Sequence, residues 1–225
     1  IEIIDLCLFI KQEKTLVIGD LHLGFEESLN KKGVLIPRLQ FKEVYAKIER
    51  ALKKLRPERV ILVGDVKHEF STISNQEWNN ISKIIRLINQ HSELIIIKGN
   101  HDNILQPIAE REDAEVVESY KIENIQFLHG DVIKKPLSKI IIIGHEHPAI
   151  SFKERPTEKF KCFLKGKYEK STLIVMPSFN LISEGSDITK NQPLSPFLKK
   201  ANLQNFEIWI HQDKVYYFGK VKNIS

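Results

Sequence analysis

Five short apolar runs of this sequence each end in a cluster of polar residues that could bind a metal ion. The clusters are Gly19-Asp20-Leu21-His22, Gly64-Asp65, Gly99-Asn100-His101-Asp102, His129-Gly130-Asp131 and Gly144-His145-Glu146-His147. Carboxylate, amide and imidazole groups are oxygen and nitrogen donors. Because the clusters contain no cysteine, they do not resemble a structural zinc site, which would use several thiolates. Their donors suit Mn, Fe, Zn or Ni in a site of higher coordination number.

The spacing and number of these side chains indicate two ions rather than one. Asp20 and His22 are two residues apart, so on an extended segment both face the same side, and His145 and His147 repeat this spacing. The candidate ligands are too many for one ion. Two ions about 3.5–4 Å apart need a bridging carboxylate. Such a pair can stabilise the attacking and the leaving oxygen of an in-line displacement at phosphorus.

The apolar runs predict buried strands, because they are short and rich in Ile and Val. They are Leu16–Ile18, Val60–Val63, Leu94–Ile97, Ile125–Leu128, Ile140–Ile143 and Leu173–Met176. Helical spacing of apolar residues from Pro37 to Leu55 and from Asn75 to Asn89 alternates with the first three runs, which favours a largely parallel sheet. Ligands of such sheets gather beyond the carboxyl ends of the strands, so the five clusters are expected to converge on one rim.

The second half of the chain, after about residue 115, contains several apolar runs and few helical patterns. It predicts a second sheet packed on the first, with Phe206–Ile210 and Val215–Phe218 as a hairpin. We find no linker or repeat, so residues 1–225 are expected to form a single α/β domain.

Composition excludes several other classes of protein. Of 225 residues, 42% are apolar and the net charge is only +5, which argues against a disordered chain. The apolar runs are far shorter than a membrane span. The two cysteines, Cys7 and Cys162, are too few for a disulfide scaffold, so a cytoplasmic protein is expected.

The ordered set of clusters resembles the calcineurin-like metallophosphoesterase superfamily. The set is Asp20-x-His22, Gly64-Asp65, Gly99-Asn100-His101-Asp102, His129 and Gly144-His145-x-His147. The resemblance implies two packed mixed β-sheets flanked by helices, in a four-layer α-β-β-α arrangement. It also implies a phosphoesterase in which a metal-bridging hydroxide attacks phosphorus.

The same resemblance implies a role for each motif residue. One metal would be held by Asp20, His22, Asp65 and His147, and the second by Asp65, Asn100, His129 and His145. His101 would contact the phosphate and assist the leaving group, and Asp102 would orient His101. Mn is the expected metal, although Fe, Zn and Ni accept the same ligands.

Other short stretches of the sequence indicate which branch of this superfamily the chain resembles. Lys67-His68-Glu69 and Lys98 stand where protein serine/threonine phosphatases carry different residues. The stretches Gly64–Phe70, Gly144–Pro148 and Met176–Asn180 resemble small archaeal phosphoesterases related to double-strand-break repair nucleases, and bacterial phosphodiesterases associated with DNA ligase. A phosphodiester of a nucleotide or nucleic acid is therefore the expected substrate, with no added DNA-binding domain. The alternatives are a phosphomonoesterase and a catalytically silent scaffold of the same fold.

Four more residues are candidates for substrate binding. Lys67 and His68 follow the predicted bridging ligand and could reach a phosphate, or they could form a solvated turn. Ser178 and Asn180 follow another predicted strand and could line the same rim.

The excess of Lys and Arg over Asp and Glu is concentrated in residues 153–170. This segment holds seven Lys or Arg and three Glu, a net +4 of the total +5. With Phe160, Phe163 and Tyr168 interleaved, it either binds nucleic acid or forms a solvated hairpin face.

Overall fold

The computed structural model describes residues 1–34, 36, 39–70 and 72–224, and it contains two β-sheets. The first sheet has six strands in the order β1 to β6. Strands β3 to β6 are parallel, and β1 and β2 extend the sheet in antiparallel pairing. The strands are β1 (Glu2–Ile4), β2 (Cys7–Ile10), β3 (Thr15–Gly19), β4 (Arg59–Val63), β5 (Glu93–Ile97) and β6 (Glu115–Val117).

The second sheet has nine strands and mixed pairing. They are β7 (Tyr120–Ile122), β8 (Ile125–Leu128), β9 (Ile140–Ile143), β10 (Pro148–Phe152), β11 (Arg155–Tyr168), β12 (Ser171–Val175), β13 (Ser186–Asp187), β14 (Glu207–His211) and β15 (Val215–Lys220). The main path runs β13-β10-β11-β12-β9-β8-β7, and the β14–β15 hairpin joins it through β11. Strands β8, β9 and β12 are parallel to one another, so their carboxyl ends lie on one edge.

Helices cover the outer faces of the sheets. They are α1 (Phe25–Lys31), α2 (Gln40–Leu55), α3 (Asn75–Asn89), α4 (Gln106–Arg111) and α5 (Pro196–Lys200). Helix α2 buries Val44, Ile48 and Leu52, which lie one turn apart and form a stripe against the first sheet. The predicted start of this helix at Pro37 lies outside the described residues.

Successive side chains of each strand in the first sheet point to opposite faces, so they contribute to two different apolar layers. In β3, Leu16 and Ile18 pack against the helices, whereas Val17 faces the second sheet. In β4, Ile61 and Val63 also face the second sheet. Both faces are buried, which explains why these strands are continuously apolar in sequence. Each such side chain contributes about 1.5–3 kcal/mol of burial free energy.

The predicted fold class is confirmed: two mixed sheets with flanking helices. All six apolar runs lie in strands to within one residue, α3 has the predicted bounds, and the C-terminal hairpin is present as β14 and β15. The prediction missed β1, β2, β6, β7, β10, β11, β13 and the short helices α1, α4 and α5, whose patterns are brief or irregular. Cys7 and Cys162 are buried and free, as expected. None of the helices in the described ranges is long and apolar enough to cross a bilayer.

Candidate metal centre

The five polar clusters meet at the carboxyl ends of strands from both sheets. Asp20 follows β3, Asp65 follows β4 and Asn100 follows β5, all in the first sheet. His129 follows β8 and His145 follows β9 in the second. The predicted convergence is therefore present, and the centre lies where the two sheets face each other.

One group of four side chains holds its donor atoms within 4.8 Å of one another: Asp20, His22, Asp65 and His147. His22 Nε2 lies 3.2 Å from His147 Nε2 and 3.6 Å from Asp65 Oδ2. His147 Nε2 lies 3.4 Å from Asp20 Oδ1. Asp20 is fully buried, and His22 is 7% exposed. This is the first predicted ligand set, brought together from three strand ends.

A second group shares Asp65 with the first and adds His129 and His145. His129 Nε2 lies 3.4 Å from Asp65 Oδ2 and 3.0 Å from Asn100 Oδ1. His145 Nδ1 lies 3.2 Å from the same His129 nitrogen. Asp65 is thus the carboxylate common to both groups, which is the position that a bridging ligand requires.

These donor sets fit divalent cations. Two pairs of imidazole nitrogens face each other at 3.2 Å, His22 with His147 and His129 with His145, among buried carboxylate oxygens. The Nδ1 of His129 lies 3.2 Å from the Val63 carbonyl, to which it can donate its proton, and the Nε2 lone pair then faces the centre. Converging nitrogen and oxygen lone pairs of this kind match the ligand preference of Mn, Fe, Zn or Ni.

The charges of the centre perturb each other strongly. Burial and the neighbouring His147 lower the pKa of His22 to about 3. Burial opposes the charged form of His129, but Asp65 and Asp20 outweigh it and raise the pKa of His129 to about 10. Burial likewise opposes ionisation of Asp65, yet the hydrogen bond and charge of His129 hold the pKa of Asp65 below its usual range. The carboxylates therefore stay ionised in the buried centre, as cation ligands must.

Two glycines leave room for ligand carboxylates. A Cβ on Gly99 would lie 2.2 Å from Asp65 Oδ1, and one on Gly144 would lie 2.4 Å from Asp20 Oδ2. No side-chain atom fits at those distances. The glycines of these motifs are thus required by the approach of carboxylates from neighbouring strands.

Gly99→Ala is expected to lower turnover about 10²-fold, since a displacement of about 1 Å in a positioned group can have an effect of that size. The methyl group would lie 2.2 Å from Asp65 Oδ1 and 2.3 Å from the Asp65 amide nitrogen, so it would displace both the carboxylate and the backbone of Asp65, although Gly99 itself is not among the positive-φ residues. Steady-state kinetics and thermal melting would measure the two effects. Gly33→Ala is the control for turnover, because a Cβ there meets nothing within 4 Å; since its φ is 85°, this variant is expected to melt at a lower temperature while it keeps near-normal turnover. Equal activity of both variants would contradict the steric explanation.

The backbone is strained at four of the ligands. His22, Asp65, His145 and His147 adopt φ values of 44°, 48°, 63° and 48° in the left-handed region. Such conformations cost on the order of 1–3 kcal/mol each and persist where the surroundings hold them. The His22 amide donates to the Asp65 carbonyl at 2.9 Å, and the His145 amide donates to Asp20 Oδ1 at 3.1 Å.

His101 lies beside the two groups, in a third group with His22 and His68 whose donor atoms also lie within 4.8 Å of one another. Its Nδ1 contacts the His68 carbonyl, and its Nε2 lies 3.8 Å from Asp65 Oδ2. The carboxylate of Asp102 instead accepts the amides of Lys67 at 3.2 Å and Gly99 at 2.9 Å. This corrects the expectation that Asp102 orients the His101 ring, because the carboxylate fixes two backbone segments. Burial and the nearby Asp65 raise the pKa of Asp102 to about 7.

The two residues after the shared carboxylate have different environments. Lys67 is 0% exposed, and the described part of the chain offers no hydrogen-bond partner to its Nζ. Burial excludes the alternative of a solvated turn for Lys67, and contact with a substrate phosphate stays a prediction. His68 lines a cavity of about 230 Å³ together with His22, His101 and His147, so it remains at the site. Burial and the neighbouring His101 lower the pKa of His68 to about 4.

Ser178 and Asn180 are buried and support the first ligand loop. Ser178 Oγ donates to the Asp20 carbonyl at 3.0 Å. Asn180 Nδ2 donates to the carbonyls of Leu21 and His22 at 3.2 Å each. Their side chains are thus committed to the backbone, although Asn180 also lines the cavity of about 230 Å³, and substrate binding by either residue stays a prediction.

The basic segment 153–170 is not gathered at the site. Most of it is β11, whose 14 residues span about 46 Å at about 3.3 Å per residue. Lys161 is half-buried and donates to the carbonyls of Ser178 and Asn180. Lys159 and Lys165 face Glu184 at 3.5 Å and Glu207 at 3.8 Å. The predicted nucleic-acid surface is therefore spread along one strand and partly neutralised.

Two contributors escaped the sequence prediction. Glu77 Oε1 accepts the His68 amide at 3.0 Å and so fixes the loop that follows Asp65. Ser74-x-x-Glu77 is a recognisable helix-capping pattern, and Ser74 Oγ accepts a hydrogen bond from the Glu77 amide at 3.0 Å. The pattern does not reveal that the Glu77 carboxylate contacts the loop after Asp65. The ring of Phe70 packs on the ring of His101, with centroids 3.6 Å apart.

Comparison with known proteins agrees with this geometry. The sequence profile of a family described as calcineurin-like phosphoesterase matches residues 13–204. The Pseudomonas putida nuclease MPE is similar in fold, with a TM-score of 0.69, 18% identity and coverage of 94% of this chain and 91% of that one. The E. coli phosphoesterase Yfce matches with a TM-score of 0.42 and 10% identity over 94% of each chain. No curated protein sequence matches the chain.

Proposed function

We propose that this chain, which belongs to the calcineurin-like phosphoesterase family, hydrolyses a phosphodiester of a nucleotide or nucleic acid with the help of two divalent cations. The observation that carries the proposal is the position of Asp65, whose carboxylate belongs to two of the three groups of candidate ligands in the described residues. Calcineurin-like phosphoesterases normally use two divalent metals.

The residues at the strand ends suit this role. Asp20, His22, Asp65 and His147 would hold one cation, and Asp65, Asn100, His129 and His145 the other. We expect Mn²⁺, and the same nitrogen and oxygen donors accept Fe, Zn or Ni. When bound, the cations supply positive charge for the phosphoryl oxygens and lower the pKa of a water that acts as the nucleophile.

His101 would handle the proton of the leaving group. Its Nδ1 donates to the His68 carbonyl, so Nε2 faces the centre and carries a proton there when the ring is in the imidazolium form. From there it can hydrogen-bond to a phosphoryl oxygen and pass to the departing oxygen. Asp102 would act indirectly by holding the backbone of Gly99 and Lys67.

Two cavities flank the centre, which favours a diester over a monoester. One cavity of about 230 Å³ is lined by His22, His101 and His147. Another of about 280 Å³ is lined by Asn100, His129 and others. A diester carries an organic group on each of two oxygens, and each cavity can receive one of them. A monoester would leave one cavity unused.

Assays with bis(4-nitrophenyl) phosphate and 4-nitrophenyl phosphate in Mn²⁺ would test the proposal. We expect the diester to have the larger kcat/KM. Hydrolysis of the monoester alone would overturn the diester preference. Absence of hydrolysis of both esters by a protein that binds two metals would favour the silent scaffold.

A further inference from the structure

We infer that Phe70 is a stacking platform for a nucleobase of the substrate, so that the preferred substrate is a nucleoside phosphodiester with an unpaired base. The inference rests on the proposed function and names its substrate class.

Phe70 is both exposed and close to the reacting groups. Its ring lies on the ring of His101 with centroids 3.6 Å apart and planes 29° apart, and 51% of the residue is exposed. One face is therefore covered by the residue proposed to contact the phosphate, and much of the rest is open to solvent. An exposed ring at this position is placed as are the aromatic side chains on which other proteins stack unpaired bases.

Phe70 is the outer member of a larger group of rings. His101 also stacks on His68, with centroids 5.7 Å apart and planes 27° apart. His68 in turn contacts Phe25 at 4.6 Å, and His22 meets His101 edge-on at 4.9 Å. A ring supported on one side in this way loses little freedom when a base stacks on its outer face.

The chemistry of this surface points to a nucleobase rather than to a phosphate or a sugar alone. Every base presents a π-face, so stacking on an aromatic ring gives affinity with little sequence preference. In a duplex that face is covered by neighbouring base pairs, so the platform fits a single strand, an end or a dinucleotide.

The test compares two diesters with the same leaving group, thymidine 5′-(4-nitrophenyl phosphate) and methyl 4-nitrophenyl phosphate. Any effect of a variant on His101 itself acts on both substrates and cancels in the ratio of their kcat/KM values. We expect Phe70→Leu to lower the thymidine-to-methyl ratio about tenfold, the size that the loss of one base–aromatic stack gives. Phe70→Trp, which keeps a π-face, is expected to retain the ratio.

A wild-type ratio in Phe70→Leu, with both activities measurable, would overturn the inference and leave Phe70 as a cover for His101. Failure of the wild-type protein with Mn²⁺ to hydrolyse the methyl ester would overturn the proposed function instead. Fluorescence anisotropy of labelled tetrathymidylate gives a readout without turnover. We expect weaker binding to Phe70→Leu than to the wild type, and equal affinity would count against the stack.

Discussion

Asp65→Asn is expected to lower phosphodiester hydrolysis by about 10³-fold and to leave fewer than two metal ions per chain. Asp65 Oδ2 lies 3.6 Å from His22 Nε2 in one ligand group and 3.4 Å from His129 Nε2 in the other. A neutral amide of the same shape cannot neutralise two cations. Metal charge contributes several kcal/mol to such reactions, and each 1.4 kcal/mol is about tenfold in rate.

Metal content after dialysis against Mn²⁺, measured by mass spectrometry, and steady-state kinetics would check this result. The matched control is Asp113→Asn. Asp113 is an exposed aspartate that also adopts left-handed backbone, at φ 53° against 48° for Asp65. Both substitutions therefore place an asparagine in left-handed backbone, but only the one at Asp65 changes a candidate metal ligand. Two bound ions and near-normal turnover in Asp65→Asn would refute the bridging role.

His101→Ala is expected to keep both metal ions and to lower turnover by about 10²–10⁴-fold, the usual contribution of a positioned acid or base. His101 is outside the two ligand groups that contain Asp65. Its ring is held by the His68 carbonyl, so its loss removes a proton donor and leaves the carboxylates in place.

The role of His101 as an acid can be separated from a general loss of structure by varying the leaving group. The loss is expected to be larger for an alkyl leaving group than for 4-nitrophenolate, which needs little protonation. His91→Ala is the control, because His91 is an exposed histidine at the end of α3. Loss of bound metal in His101→Ala would identify His101 as a ligand, and normal turnover would remove it from the mechanism.

Much of the architecture follows from local pattern. Short apolar runs rich in β-branched residues, such as Ile140–Ile143, favour strands buried on both faces, and the spacing from Asn75 to Asn89 is that of a helix with one apolar face. The position of each polar cluster immediately after a strand places its side chains at the sheet edge. The sequence by itself therefore determined the fold class and which residues gather at the centre.

The contacts of individual side chains were decided only by the tertiary structure. Asp102 is adjacent to His101 in sequence but binds the amide of Lys67, 35 residues away. Ser178 donates to the carbonyl of Asp20, 158 residues away. Such partners depend on which strands pair and in which register. The pattern of a sequence specifies which face of an element is buried, whereas the atoms that meet across elements are set when the two sheets pack together.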